Sequence, residues 1–319
     1  MAAPKENEFI DTIKKQYCIN GFSDNIYGIG DDCAVFSDKQ VITCDMLVEG
    51  THFDLSMISP YDLGVKSALV NISDVTSMGG LSKYAVISVG YSTQSKEFLC
   101  DLYIGMYDEF NKAGAKIIGG DTVRSEKLVI NVTLIGETDN PIMRNGAKVG
   151  DSIIISDYAG LSHAGFDALI KYGKTAEMFY PELVKSHINP RVIPFLGQKL
   201  SLTGKVHSMM DISDGISKDL KTLCEASQVG AVIHTENFAI SPYLMGFCQY
   251  ENKNINDYVL SNFEDYTLLI TCAENNKDEI MSLLSEYGTP SCIGTVTEKD
   301  IVVKENGKLY NMPNSWEHF

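Results

Sequence analysis

Residues 84–121 read YAVISVGYSTQSKEFLCDLYIGMYDEFNKAGAKIIGGD, and this stretch decides the fold. Tyr84 to Ser92 reads as a strand. Ser95 to Ala113 reads as a helix with Phe98, Leu102 and Phe110 roughly on one side. Ala115 to Ile118 is a short apolar strand ending at Gly119-Gly120-Asp121. Strand, helix and strand in succession announce an α/β or α+β protein. Toward the N-terminus, Gln40 to Met46 reads as a strand and Ser59 to Met78 as a helix, with Ser59 as N-cap and Pro60 just inside. Toward the C-terminus, Lys127 to Gly136 is a long alternating strand. Thr138 to Gly150, rich in turn residues, reads as a junction between two domains, 1–139 and 140–319. Beyond it, Ser152 to Ser156 reads as a strand. Leu161–Tyr172, Ser213–Ser227 and Asn275–Tyr287 read as helices, and 245–262 as a polar, irregular surface excursion.

The chain has 319 residues, enough for two domains of ordinary size. Apolar residues make up 44% and charged residues 21%. That balance excludes global disorder. The formal net charge is −16, a poor match for sequence-independent nucleic-acid binding. No apolar run is long enough to cross a bilayer, and the start, MAAPKENEFIDTIKKQYC, has no apolar core of a secretory signal. The eight cysteines form no C-x-x-C pair and are expected reduced, mostly buried, in a cytoplasmic protein.

Carboxylates recur at the ends of strands and loops. Gly28-Ile29-Gly30-Asp31-Asp32 places two adjacent acids after glycines. They would repel unless a cation neutralised them, although a solvated turn accounts for such a pair as well. Thr43-Cys44-Asp45 ends an apolar strand, where an ionised Asp needs a metal, a cap or a salt bridge. In Asn71-Ile72-Ser73-Asp74-Val75, helical spacing puts Ser67, Asn71 and Asp74 on one face, and such polar faces are usually the wet side. Gly119-Gly120-Asp121-Thr122 suits a backbone loop around phosphate or metal, or an ordinary turn. Met210-Asp211-Ile212-Ser213-Asp214-Gly215 joins a strand to a helix. Ser213 as cap and Asp214 in the first turn explain one acid there but not Asp211.

No P-loop, no G-x-G-x-x-G and no G-x-S-x-G elbow occurs. Five segments each offering a carboxylate beside Gly, Ser or Thr make a set of hard oxygen ligands, the kind that selects Mg²⁺ and bridges it to substrate phosphates. The residues therefore point to a Mg²⁺-dependent enzyme acting on a phosphorylated small molecule.

The motifs GIGDDCAVF, TCDMLVEGTHF, NISDVTSMGG, IGGDTVRS, MRNGAKVGD, MDISDGISKDL, FEDYTLLIT and SWEHF follow the order and approximate spacing of the thiamine-monophosphate kinases. That family resembles the aminoimidazole-ribonucleotide synthetase superfamily, and the likeness runs from about Gly28 to Phe319. It implies a two-domain aminoimidazole-ribonucleotide synthetase-like α/β (α+β) fold, forming a homodimer through the sheet of the N-terminal domain. It implies transfer of the ATP γ-phosphoryl to thiamine monophosphate, with several Mg²⁺ ions. Carried over by position, the metal ligands would be Asp32, Thr43, Cys44, Asp45, Asp74, Asp121, Asp211 and Asp214. ATP would meet Tyr103, Gly120, Asp121, Arg144 and Ser213. The thiamine phosphate would meet His52, Glu264 and Trp316, the last by stacking on cationic rings. No general base or covalent nucleophile is implied. One position departs: where similar proteins carry a hydroxyl residue, this chain has Cys44. A thiol is a poor Mg²⁺ ligand, so either its backbone carbonyl serves or that ligand is missing.

Other readings are an aminoimidazole-ribonucleotide synthetase, a selenophosphate synthetase, a hydrogenase maturation factor and a non-catalytic ligand-binding protein. Cys18, in KKQYCINGF, does not sit in the Gly-rich segment that selenophosphate synthetases carry, and the chain ends in His318-Phe319 rather than the terminal cysteine of that maturation factor.

Overall fold

The computed structural model describes residues 9–10, 12–14, 18, 22–23, 26–37 and 39–311, arranged as two sheets with helices against them. The first sheet contains β1 (Phe22–Ser23), β2 (Ile26–Tyr27), β3 (Ala34–Phe36), β4 (Gln40–Val48), β5 (Leu81–Tyr91), β6 (Lys116–Arg124) and β7 (Val129–Glu137), in the order β1-β2-β3-β4-β7-β5-β6. Only β5 and β6 pair in parallel, so β6 is an edge strand reached through the crossover helix of the decisive stretch.

One face of this sheet is covered by α1 (Pro60–Ser77) and α2 (Lys96–Lys112). Both begin where Ser-containing turns predict, with the Ser59 hydroxyl accepting from Asp62 N and the Ser95 hydroxyl from Phe98 N. The two helices touch backbone to backbone. A Cβ on Gly64 would stand 2.0 Å from the Leu102 carbonyl oxygen, and one on Gly105 would stand 2.0 Å from that of Tyr61. The other face is open and carries Cys44, Met46, Tyr84 and Ile118, all exposed.

The second sheet contains β8 (Asp151–Ile155), β9 (Val206–Asp211), β10 (Gly230–His234), β11 (Leu268–Ala273), β12 (Ser291–Thr297), β13 (Ile301–Glu305) and β14 (Lys308–Tyr310), ordered β14-β13-β10-β12-β8-β11-β9. Its interior strand β8, between β12 and β11, is buried along its whole length. Alternate residues of β9 and β11 enter two separate apolar clusters, one on each face of the sheet. Helices α3 (Leu161–Tyr172), α4 (Pro181–Ile188), α5 (Leu196–Thr203), α6 (Ile216–Ser227), α7 (Pro242–Glu251), α8 (Ile255–Leu260) and α9 (Lys277–Ser285) complete this half. The halves meet where α1 crosses β9 and α5.

Four expectations are corrected. β6 does not stop at Ile118 but runs on through Gly119-Gly120-Asp121 to Arg124, because the ladder to β5 holds the glycines extended. The stretch 245–262 is not an irregular excursion but carries most of α7 and all of α8. Phe247, Cys248, Tyr258, Val259 and Leu260 are buried, and the Asn-Lys run is only the turn between the helices. Ser213 does not cap α6, which starts at Ile216 after Gly215 at φ +111°. Helix-leading N–H groups need acceptors, and here they find other ones. They donate to the Asp219 carboxylate (from Asp214 N, 3.1 Å, and Gly215 N, 2.9 Å) and to the Asn262 side-chain oxygen (from Ile216 N, 3.0 Å). Finally, the polar face of Ser67, Asn71 and Asp74 on α1 is not the wet side: Ser67 and Asn71 are buried and Asp74 is partly buried, with Asn71 and Asp74 bonded to β4.

Candidate active site

α1 delivers Asp74 to the seam between the halves, β9 ends there at Asp211, and the loop before β3 brings Asp32. Carboxylate oxygens of these three lie within 4.8 Å of one another. Each is steered by a hydroxyl. Ser77 Oγ donates to Asp32 Oδ2 (2.5 Å), Ser73 Oγ to Asp211 Oδ2 (2.5 Å), and Thr43 Oγ1 to Asp74 Oδ2. Asp45 follows Thr43 by two on β4, so both point to the α1 side of the sheet. Its backbone N–H donates to Asn71 Oδ1 at 3.2 Å.

Acids this close and this buried resist ionisation. Burial first, then the charge of Asp32, lifts Asp211 to about 8. Burial, Asp32 and Asp214 lift Asp45 to about 6, and burial with Asp45, Asp211 and Asp32 raises Asp74 well above its ordinary range. The counter-charge among the described residues is Arg144, in the junction between the halves. Its Nη2 donates to Asp32 Oδ1, its Nε is 3.7 Å from Asp31 Oδ1, and its backbone N–H donates to Asp31 Oδ2 at 3.0 Å.

Beside these acids opens a cavity of about 450 Å³. Asp45, Asp74, Ser213 and Asp214 line one part of it. His52, Lys66, His187 and Glu264 line it too, with apolar walls that include Phe166 and Phe263. The Val48 N–H donates to His52 Nδ1 at 3.0 Å. That leaves the His52 proton on Nε2. Asp214 pairs with Lys218 at 2.8 Å.

The structure thus gathers Asp32, Thr43, Asp45, Asp74, Asp211, Asp214, Arg144, Ser213, His52 and Glu264 around one seam. Others of the expected residues lie elsewhere. The Cys44 thiol is on the open face of the sheet, against Asn131 and Thr133, so only its backbone is on offer to a cation near Asp45. Gly120 and Asp121 are on the edge strand. The pairings Asp45↔Val132, Val132↔Ile87 and Ile87↔Gly120 put Gly120 three strands along the sheet from Asp45, beyond the reach of any shared ion. Asp121, one residue on, points to the open face, in the row of the exposed Met46. Tyr103 is on α2, half-buried against the core and outside the cavity lining. Trp316 lies outside the described residues.

Sequence reasoning missed Lys66 and His187. For Lys66 a signal existed: it precedes Val70 and Asp74 by four and eight residues, which puts a cation on the same side of the helix as a candidate metal-binding acid.

Two family models match the chain: AIR synthase related protein, N-terminal domain, over residues 30–138, and AIR synthase related protein, C-terminal domain, over residues 148–305. The chain is similar to the thiamine-monophosphate kinase of Aquifex aeolicus (strain VF5), 33% identical over 296 residues, covering 91% of this chain and 92% of that protein. It is also similar to the thiamine-monophosphate kinase of Escherichia coli (strain K12), 32% identical over 278 residues, covering 85% and 84%. Among solved structures, AaThiL complexed with AMPPCP and TMP superposes with a TM-score of 0.86 at 33% identity, over 99% of this chain and 97% of that one.

Proposed function

We propose that this chain, which belongs to the AIR synthase related family and within it to the thiamine-monophosphate kinases, transfers the γ-phosphoryl of ATP to thiamine monophosphate, giving thiamine diphosphate and ADP. The observation that carries the reading is the meeting of Asp32, Asp74 and Asp211, from both halves of the chain, beside a cavity large enough for a small organic phosphate.

The donor set fits Mg²⁺: oxygen ligands only, on carboxylates so crowded that burial and mutual repulsion favour their protonated forms. Asp32, Asp45, Asp74, Asp211 and Asp214 would hold the ions. Bound there, Mg²⁺ supplies charge neutralisation and alignment for two polyanions that otherwise repel. The chain's own residues do the rest. Thr43, Ser73 and Ser77 fix the carboxylate rotamers. Arg144 brings the positive charge of the junction beside Asp31 and Asp32, where it would offset negative charge on the transferring phosphate. No side chain need take a proton, because the acceptor is a phosphate oxygen already ionised at neutral pH.

A homodimer formed through the first sheet would give Asp121, on its open face, and the neighbouring Gly120 a role they cannot fill from three strands away in their own chain. Both would approach the acid cluster of a second copy. Among the described residues no helix is long and apolar enough to cross a membrane. The reading assigns the protein to the cytoplasm, where Mg²⁺ and ATP are supplied.

The test is ADP release with Mg²⁺, ATP and candidate acceptors in turn. Turnover with thiamine monophosphate supports the assignment. Turnover only with another phosphate acceptor, or none at all, overturns it.

A further inference from the structure

Lys66 is 2% exposed, in the middle of α1. A lysine is rarely buried this far unless its charge is paired. Its Nζ donates to Glu264 Oε2 at 2.9 Å, so the pair ties the first half of the chain to the second. An ammonium carries three N–H groups. Among the described residues Glu264 is the one partner of Lys66, which leaves two donors unspent on a residue that lines the cavity. Glu264 Oε1 likewise receives no hydrogen bond from a described residue. His187, with Nδ1 3.5 Å from Glu264 Oε2, adds no charge: burial first and then Lys66 push it well below its ordinary range, and Ser162 Oγ is 3.1 Å from the same nitrogen.

Glu264 is held there against backbone preference. Its φ is 54°, on the positive side. A non-glycine residue adopts that left-handed value only where the surroundings enforce it. Its N–H donates to the Ser213 carbonyl at 2.8 Å. The flanking Asn262 and Asp265 accept from the first N–H groups of α6 and α3. A merely structural ion pair could be replaced by packed apolar residues without loss. This one leaves an acceptor and two donors at the cavity.

We propose that Lys66 is a specificity-determining residue: with Glu264 it presents a donor beside an acceptor, which together read a heteroaromatic edge carrying a ring nitrogen next to an exocyclic amine. This rests on the functional reading above and deepens it, since thiamine monophosphate has such an aminopyrimidine edge at one end and its phosphate at the other. Lys66 donates to the ring nitrogen, and the amine donates to Glu264 Oε1. Lys66, Val70 and Asp74 line the cavity as one stripe of α1, just over two helical turns from end to end. The stripe therefore has a heterocycle-reading end and an acid end, and the substrate fits in one orientation.

The test compares thiamine monophosphate with its analogue in which oxygen replaces the exocyclic amine, using full-length protein, Mg²⁺ and ATP. Wild type should favour the amine in kcat/KM by at least about tenfold, the worth of a charge-assisted hydrogen bond. Lys66→Met should raise KM for thiamine monophosphate about 10- to 100-fold, leave KM for ATP in place and shrink the preference for the amine. Lys66→Arg should recover part of it. A lysine that only props the fold would depress both acceptors alike, and an unchanged preference in Lys66→Met overturns the proposal. If Lys66→Met fails to fold, Lys66→Met/Glu264→Gln removes both charges and is read by the same ratio. Equal use of the two acceptors by wild type overturns it without any variant. Wild type inert toward both defeats the functional reading instead, so the two failures are separable.

Discussion

Asp74 sits on the N-terminal half of the seam with Thr43 bonded to one oxygen and two other acids within ligand range of it. Asp74→Asn keeps the shape and removes the charge. Turnover should fall about 100-fold or more, since the transition-state charge loses a support worth several kcal/mol, while the circular dichroism spectrum and unfolding midpoint stay near wild type. Retained turnover would remove Asp74 from the proposed metal site. Asp211 gives a second residue-level expectation. Its value is lifted from 3.8 to about 8, so the folded, metal-free protein holds a proton that the unfolded chain releases near its ordinary value. Between those limits the native state binds more protons than the unfolded one. Stability conferred by the protonated form is thus lost as pH rises from about 4 toward 8. Chelator-treated wild type should melt lower at pH 8 than at pH 5.5, and Asp211→Asn should flatten that slope. A slope of equal size in the variant would contradict the assignment.

Individual elements show where a sequence informs and where it does not. The start of α1 was legible because Ser59-Pro60 is a local signal, read from a hydroxyl and a fixed φ. The burial of Asn71 and Ser73 was not, because it depends on partners from other elements: Asp45 of β4 for Asn71, and Asp211 of β9, more than a hundred residues away, for Ser73. The continuation of β6 through Gly119 and Gly120 was hidden for a similar reason: two glycines suggest a turn, and only pairing with β5 keeps them extended. Likewise the cap of α6 is Asp219 from within the helix plus Asn262 from a distant loop, not the adjacent Ser213. That loop supports the next prediction. Asp265 accepts from Gly160 N at 2.5 Å, Ser162 N at 2.9 Å and Asn262 Nδ2 at 2.7 Å. Asp265→Ala would strip the start of α3 of its acceptor and loosen the segment that presents Glu264. A loss of about 1–2 kcal/mol is expected in denaturant titration, together with a raised KM for thiamine monophosphate. An unaltered KM would separate the cap from the cavity.

At the scale of the whole molecule, the acidic motifs legible in the sequence are spread widely along the chain, from Asp31 to Asp214, and most of them converge at one seam. Asp121 does not, because its place is set by sheet order, which no local spacing encodes. The open sheet face offers a direct check on its proposed role. Met46→Glu, on that face and more than half exposed, should shift the protein from dimer to monomer in sedimentation and cut turnover with it. A monomer of full activity would leave Asp121 without a function.

The acids come from both halves, and Arg144 leans on them from the segment that joins those halves. A divalent ion held by those acids would therefore also act as a rivet. Saturating Mg²⁺ should protect the exposed Lys148 of that connecting segment from trypsin, and a chelator should bare it, in a digest that involves no nucleotide and no chemistry. Cells short of magnesium would then lose this protein twice, once as a catalyst and again to their own proteases.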